Sequence, residues 1–152
     1  MSMKKITVDN APDLTKTAPR SPRVSLGGYV ILARTIDKCH ATIFGKAGEY
    51  HFDCPLDNQL FSFKGIKGSD FKAFVQDTGA PDEAILEWVI NNGVSKTPAE
   101  VAEWSKKVEA NNYADAPDKK KWLVGELTKL GLSSDKTLFD YLEADDKVSF
   151  KK

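Results

Sequence analysis

The sequence is organised around one stretch, GGYVILARTIDKCHATIF, which runs from Gly27 to Phe44. At 100° per residue, its apolar side chains cover most of the circumference of a helix. Arg34, Thr35, Lys38 and Thr42 form a polar strip that Ile31 interrupts. A helix this apolar is normally covered by neighbours on several sides. We therefore predict that it lies at the centre of the core.

A stiff basic segment over residues 13–26, which we call the lead, precedes this helix. Pro19 and Pro22 fix φ and favour extended geometry in the residues before them, so the lead should cross the surface rather than form a helix. The two glycines that follow predict a hinge, with the central helix running from about Gly28 to Phe44.

The rest of the chain carries helix start and stop signals. A short extended segment is predicted over 49–54, with Tyr50, Phe52 and Cys54 on one face and Glu49, His51 and Asp53 on the other. After it, we expect helix starts at these residues: Asp57, Asp70, Pro81, Thr97, Asp115 and either Ser134 or Asp135. The sequence predicts an all-α fold, a single compact domain of about six to seven helices over residues 13–152. A flexible N-terminal tail is expected over residues 1–12.

Composition narrows the classes of function. The 152 residues carry 22 Lys+Arg and 22 Asp+Glu, and this zero net charge argues against a nucleic-acid or anionic-membrane surface. The sequence has neither a long apolar run typical of a membrane span nor the apolar core of a signal peptide. From the charge and the lack of a membrane span, we predict no nucleic-acid and no membrane partner. Two cysteines do not make a disulfide framework, so we predict a cytoplasmic protein.

Several motifs resemble one family. They are PRSPR from Pro19, LGGY from Leu26, ARTIDK from Ala33, GEYH from Gly48, CPLD from Cys54, and FDYLEADD from Phe139 with the later Phe150. Together they are similar to the domain of unknown function 5069 family of uncharacterised bacterial-type proteins. The sequence departs from that family's pattern at His40, where arginine is expected. The resemblance implies membership of this family and does not imply any activity.

The first candidate site is an anion site at the start of the central helix. Gly27 and Gly28 would let backbone amides approach a ligand, and a helix N-terminus favours negative charge. The only three arginines of the chain are Arg20, Arg23 and Arg34, all close to this point, and guanidinium groups suit carboxylate and phosphate. The alternative is that the glycines only allow a tight turn of the backbone and the arginines pair with acidic side chains of the same protein.

A metal site is not expected. Zinc accepts ligands of the types found at Cys39, His40, His51 and Cys54. Neighbouring helical residues point about 100° apart, however, and His51 and Cys54 are predicted on opposite faces of an extended segment. We therefore predict no metal and no cofactor.

Two further classes of function stay open. A small enzyme would use Cys54 as nucleophile with His51 and Asp57, although no complete nucleophile–base–orienter pattern is visible. A protein–protein interaction module would use an exposed aromatic anchor. The function that the sequence favours most is binding of an anionic small molecule. The predicted binding residues are Arg20, Arg23, Gly27, Gly28, Arg34, Asp37, His51, Cys54 and Asp57.

Overall fold

Seven helices make up the regular structure of residues 5–150, the residues that the structure, a computed structural model, describes. They are α1 (Leu32–Ile43), α2 (Pro55–Lys64), α3 (Gly68–Thr78), α4 (Asp82–Asn91), α5 (Pro98–Glu109), α6 (Pro117–Lys129) and α7 (Leu138–Ser149). Helix α1 contacts α2 and α3, α2 contacts α3, and α6 contacts α7. The predicted all-α fold is confirmed. No helix among the described residues is long and apolar enough to cross a membrane.

Helix α1 is the buried centre of this arrangement, as predicted. Nine of its twelve residues are buried, and Ile36 and Cys39 have no exposed surface. Because residues on every side of the helix are covered, polar side chains such as Arg34 and Lys38 are buried with the apolar ones. Each of them therefore needs a partner inside the protein.

The start of α1 differs from the prediction. The helix begins at Leu32 rather than near Gly28, because a turn closed by two hydrogen bonds between Leu26 and Tyr29 precedes it. Its N-cap residue, Ile31, has a φ of 74°, a strained value for a β-branched side chain. The N–H of Ile31 donates to the carbonyl of Pro22 at 2.8 Å, and the side chain is fully buried. These contacts hold the strained backbone in place.

Aromatic side chains fill the space between α1 and the helices around it. The rings of Phe61 and Phe71 lie 5.3 Å apart, and Phe74 stacks on Trp88 at 5.5 Å. Such ring pairs stabilise a core beyond the area that they bury. They hold α2, α3 and α4 together.

The arginines of the N-terminal lead join helices that are distant in sequence. Arg20 pairs with Asp37 of α1 at 3.0 Å and with Asp82 of α4 at 2.7 Å. The lead therefore crosses the surface as predicted, and ion pairs attach it to the helices beneath.

The predicted division of the chain into a tail over 1–12 and a domain over 13–152 stays a prediction. Residues 1–4 lie outside the described residues. Within the rest of that segment, the N–H of Ile6 donates to the carbonyl of Gly79 at 2.8 Å, and Ala11 is buried.

Candidate functional site

A cavity of about 580 Å³ lies between α1, the start of α2 and the end of α7. Its apolar lining residues are Leu14, Leu56, Leu142 and Phe150. Its polar lining residues, which we call the polar wall, are Thr15, Arg34, Lys38, Glu49, Tyr50, His51, Cys54, Asp145 and Ser149, and Gly48 also lines it. The cavity therefore combines apolar side chains with charged and hydrogen-bonding groups.

The segment between α1 and α2 builds one wall of this cavity, and its shape corrects a prediction. Residues 49–54 form no strand, and turns interrupt them at 48–49 and 52–53. Asp53 has a φ of 64°, which ends the alternation of faces just before Cys54. His51 and Cys54 consequently line the same cavity, so their predicted placement on opposite faces is wrong. Phe52 lies away from it, with its ring 5.9 Å from that of Phe71.

Arg34 forms the part of the polar wall that contacts α7. Its Nη1 lies 2.7 Å from Oδ2 of Asp146, and its side chain is only 4% exposed. Tyr50 donates its hydroxyl to the same carboxylate at 2.7 Å and lies against the guanidinium, whose Cζ is 5.5 Å from the ring centroid. Burial, together with the hydrogen bond to Asp146, raises the pKa of the Tyr50 hydroxyl, which keeps it protonated as the donor.

Lys38 lies one helical turn further along α1 and contacts the start of α2. Its Nζ is 2.9 Å from Oδ1 of Asp57 and 3.1 Å from Sγ of Cys54. Asp57 is completely buried and also accepts hydrogen bonds from the hydroxyl of Thr35 at 2.6 Å and from the N–H of Asp53 at 2.9 Å. Three contacts from two segments, α1 and the loop before α2, therefore fix this carboxylate, which in turn fixes the lysine.

The predicted cap at Asp57 needs a small correction. Cys54 occupies the N-cap position of α2, and Asp57 is the third residue of the helix, where its side chain accepts from the N–H of Cys54 at 3.4 Å. Asp57 supports the helix start as expected, but the helix begins at Pro55.

Arg34, Asp37 and Lys38 stand at i, i+3 and i+4 on α1, where a local ion-pair group could form, yet each pairs with a residue outside this helix. Their partners are Asp146, Arg20 and Asp57 respectively. Residues 34 and 38 share a helix face, whereas residue 37 lies about 100° from residue 38 around the helix. The charges of α1 therefore point to different parts of the protein.

The remaining predicted site residues lie in contacts outside the cavity lining. Arg23 forms ion pairs with Glu109, Asp140 and Glu143, which belong to α5 and α7. Arg20 binds Asp37 and Asp82, and these hydrogen bonds raise its pKa despite the opposing effect of burial. Both arginines thus contact carboxylates of the chain itself.

Gly27 and Gly28 form the turn before Ile31 and both have positive φ. A Cβ at Gly27 would lie 2.8 Å from the side chain of Leu86, so the turn packs closely on α4. The carbonyl of Gly28 accepts from the hydroxyl of Ser105 at 2.6 Å. These glycines therefore position the chain for contacts with α4 and α5.

Six residues of the polar wall are not among the predicted site residues: Thr15, Lys38, Glu49, Tyr50, Asp145 and Ser149. Asp146, the partner of Arg34, was also not predicted. The i, i+4 spacing of Arg34 and Lys38 was a usable signal, because it places both cations on one face of the helix. No local pattern joins Tyr50 to Asp146, which are 96 residues apart. As for metals, within residues 5–150 no group of three or more His, Cys, Asp or Glu side chains could hold an ion.

Comparison with known proteins gives a family and no activity. No curated protein matches the chain. The model of the family described as Domain of unknown function (DUF5069) matches residues 16–148, a range that contains both residues of the Arg34–Asp146 pair. Because this match covers most of the sequence, the chain belongs to the DUF5069 family.

Proposed function

We propose that the protein binds a small molecule with an apolar body and a single carboxylate group in the cavity beside α1. The observation that supports this most is the presence of two buried cations, Arg34 and Lys38, in a cavity that apolar side chains also line. A volume of about 580 Å³ falls within the range of about 300–1,000 Å³ found for small-molecule sites.

Hydrogen-bonding capacity supports a ligand that accepts hydrogen bonds. A guanidinium has five N–H donors, and Arg34 directs two of them to Asp146 and one to the carbonyl of Arg20. An ammonium has three donors, and Lys38 directs one to Asp57 and one to Cys54. Donors on both side chains are thus left for a ligand oxygen.

The balance of charge argues for one negative charge on the ligand rather than several. Asp146 and Asp57 already neutralise the two cations, and Glu49 and Asp145 also line the cavity. Burial, with repulsion from Asp146 and Glu126, raises the pKa of Asp145, so extra negative charge is unfavourable here. A polyphosphate would meet this repulsion several times, a monocarboxylate once.

We thus place the ligand in the cavity beside α1 rather than at the start of the central helix, where the sequence predicted an anion site. Four of the predicted residues belong to the cavity or its support: Arg34, His51 and Cys54 line it, and Asp57 holds Lys38. We propose that Arg20, Arg23, Gly27, Gly28 and Asp37 have a structural role in joining the lead to the helices. A cytoplasmic location is proposed with it, since Cys39 and Cys54 are both free thiols.

A protein partner is the second candidate function, and one observation favours it. Trp122 is 48% exposed on α6, and large aromatic side chains are frequent anchors of interfaces. Co-purification of one partner in a fixed ratio, lost in Trp122→Ala, would support this function.

A thermal-shift series tests the small-molecule proposal. Aliphatic monocarboxylates of increasing length are compared with their amides and with inorganic phosphate. A ligand at a concentration of 100 times its dissociation constant stabilises the folded protein by about 2.7 kcal/mol. One of the carboxylates should therefore raise Tm clearly, while its amide and phosphate should not.

Ser149 supplies the matched variants for this series. Its side chain is exposed at the cavity edge, so Ser149→Trp should fill the cavity without disturbing the core, and Ser149→Ala should leave it open. The shift should persist in Ser149→Ala and vanish in Ser149→Trp. A wild-type protein that responds to no carboxylate, or a response that survives in Ser149→Trp, would overturn the proposal.

A further inference from the structure

We propose that Cys54 is the nucleophile of this cavity and attacks an electrophilic carbon of the bound molecule, with the ammonium of Lys38 beside its sulfur. The inference rests on the proposed function for its ligand class, a small monocarboxylate that carries an electrophilic carbon. It assigns a chemical role to the polar wall that binding alone does not require.

The position of Cys54 supports this role. The residue is the N-cap of α2, is partly exposed, and lines the cavity. Nζ of Lys38 lies 3.1 Å from its sulfur, and the lysine side chain is 4% exposed. Reactive cysteines are typically found at helix N-termini and beside a cation, where the negative sulfur is stabilised.

The support behind Lys38 fixes the geometry of the pair. Asp57 holds Lys38 at 2.9 Å and has no exposed surface, while Thr35 and the N–H of Asp53 hold Asp57. The ammonium consequently stays beside the sulfur instead of extending into solvent. A site of this kind is arranged before the ligand arrives, as efficient electrostatic stabilisation requires.

The second cysteine gives an internal comparison. Cys39 is fully buried in α1, and burial raises its pKa to about 12, so it stays a thiol at neutral pH. The two sulfurs of one chain should therefore differ strongly in reactivity.

The chemical step is a substitution at carbon. An electron pair of the Cys54 sulfur forms a C–S bond, the bond from that carbon to its leaving group breaks, and the leaving group departs with the bonding pair. The thiol proton passes to solvent water before attack. The products are a thioether and the free leaving group.

Alkylation of the full chain with iodoacetate and iodoacetamide tests this inference. These reagents are nearly equal in size, and only iodoacetate carries a carboxylate. At neutral pH Cys54 should react at least tenfold faster than a free model thiol, with iodide as leaving group, and mass mapping should find Cys39 unmodified. A rate at Cys54 no faster than that of the model thiol with either reagent would overturn the inference.

The choice of reagents separates this inference from the proposed function. If both are right, the ratio of iodoacetate to iodoacetamide rates at Cys54 should exceed the ratio for the model thiol several-fold. Fast reaction with no such preference would support the nucleophile and contradict carboxylate recognition.

The role of Lys38 needs its own variants. Lys38→Met combined with Asp57→Leu removes both buried charges together, so it avoids leaving one unpaired. Its Cys54 rate should fall at least tenfold, while Lys38→Arg should keep most of the rate because it keeps the positive charge. Circular dichroism confirms that each variant is folded, and an unchanged rate in the folded double variant would overturn the role of Lys38.

Discussion

Arg34 of α1 and Asp146 of α7 are 112 residues apart in sequence, yet their side chains form a buried ion pair at 2.7 Å. This contact connects the first and last helices and forms one wall of the cavity. It also explains the burial of a charged helix face, because each buried cation of α1 has a carboxylate partner.

The first prediction follows from this pair. Arg34→Ala should reduce the free energy of unfolding by about 3–5 kcal/mol, because it leaves Asp146 buried without its partner. Arg34→Met with Asp146→Leu should lose much less, since both charges leave together. Arg20→Ala is a comparison at a side chain that is 34% exposed, and a smaller loss is expected there. Urea denaturation measures all three, and an Arg34→Ala midpoint equal to that of wild type would contradict the account.

A second prediction concerns the core. Ile36 has no exposed surface at the centre of α1, so Ile36→Ala should cost about 2–5 kcal/mol of stability. Lys107→Ala on the exposed face of α5 is the control and should change stability by less than about 0.5 kcal/mol. Equal denaturation midpoints for the two variants would show that α1 is not the centre of the core.

The third prediction concerns His40. Its side chain is 3% exposed, and its Nε2 has no hydrogen-bond partner among residues 5–150. Burial lowers its pKa below the ordinary 6.5, although Asp37 and Asp82 oppose this effect and Arg20 adds to it. The unfolded chain then takes up the proton first, so stability should fall as the pH drops below about 6.5 and be unaffected by this group above it.

Denaturation at pH 7.5 and pH 5.5 measures that effect. Wild type should lose stability between the two values, and His40→Gln should lose less because the titrating group is gone. His51→Gln is the matched control, since His51 is exposed, and it should behave like wild type. A His40→Gln profile as steep as that of wild type would count against this reading.

A fourth prediction concerns the support of the cavity wall. Gly68 begins α3, and a Cβ there would overlap the carboxylate of Asp53. Because the exposed Asp53 side chain can rotate away, Gly68→Ala should change stability by less than about 0.5 kcal/mol while altering the alkylation rate of neighbouring Cys54. Gly125→Ala is the matched control in α6, where a Cβ meets open space, and it should stabilise by about 0.5–1 kcal/mol. Identical effects of the two substitutions would refute the close approach.

Much of the fold could be predicted because its signals are local. The Thr97–Glu100 capping box with Pro98 begins α5 where the sequence indicated. The start of α7 was misplaced at Ser134 or Asp135, because a second capping box between Thr137 and Asp140 was overlooked.

The cavity was harder to predict because its walls meet only in the folded chain. Residues 14–15, 48–56 and 142–150 come together there, and the positive φ of Asp53 reverses the expected face of Cys54. Asp tolerates positive φ better than most residues, but a single Asp in a loop does not by itself predict that conformation. The arginines were recognised as unusual, but several of their partners, such as Glu143 for Arg23 and Asp146 for Arg34, lie more than a hundred residues away.

The most direct test of the central claim is protection of Cys54 from iodoacetamide by a carboxylate. The compound that raises Tm most is added at about 100 times its dissociation constant, and the rate of Cys54 alkylation is followed by mass spectrometry. Occupancy of the cavity should slow the reaction by about 100-fold, and Ser149→Trp should show no additional protection by the compound. An alkylation rate that the bound carboxylate leaves unchanged would contradict the claim that this cavity is the binding site.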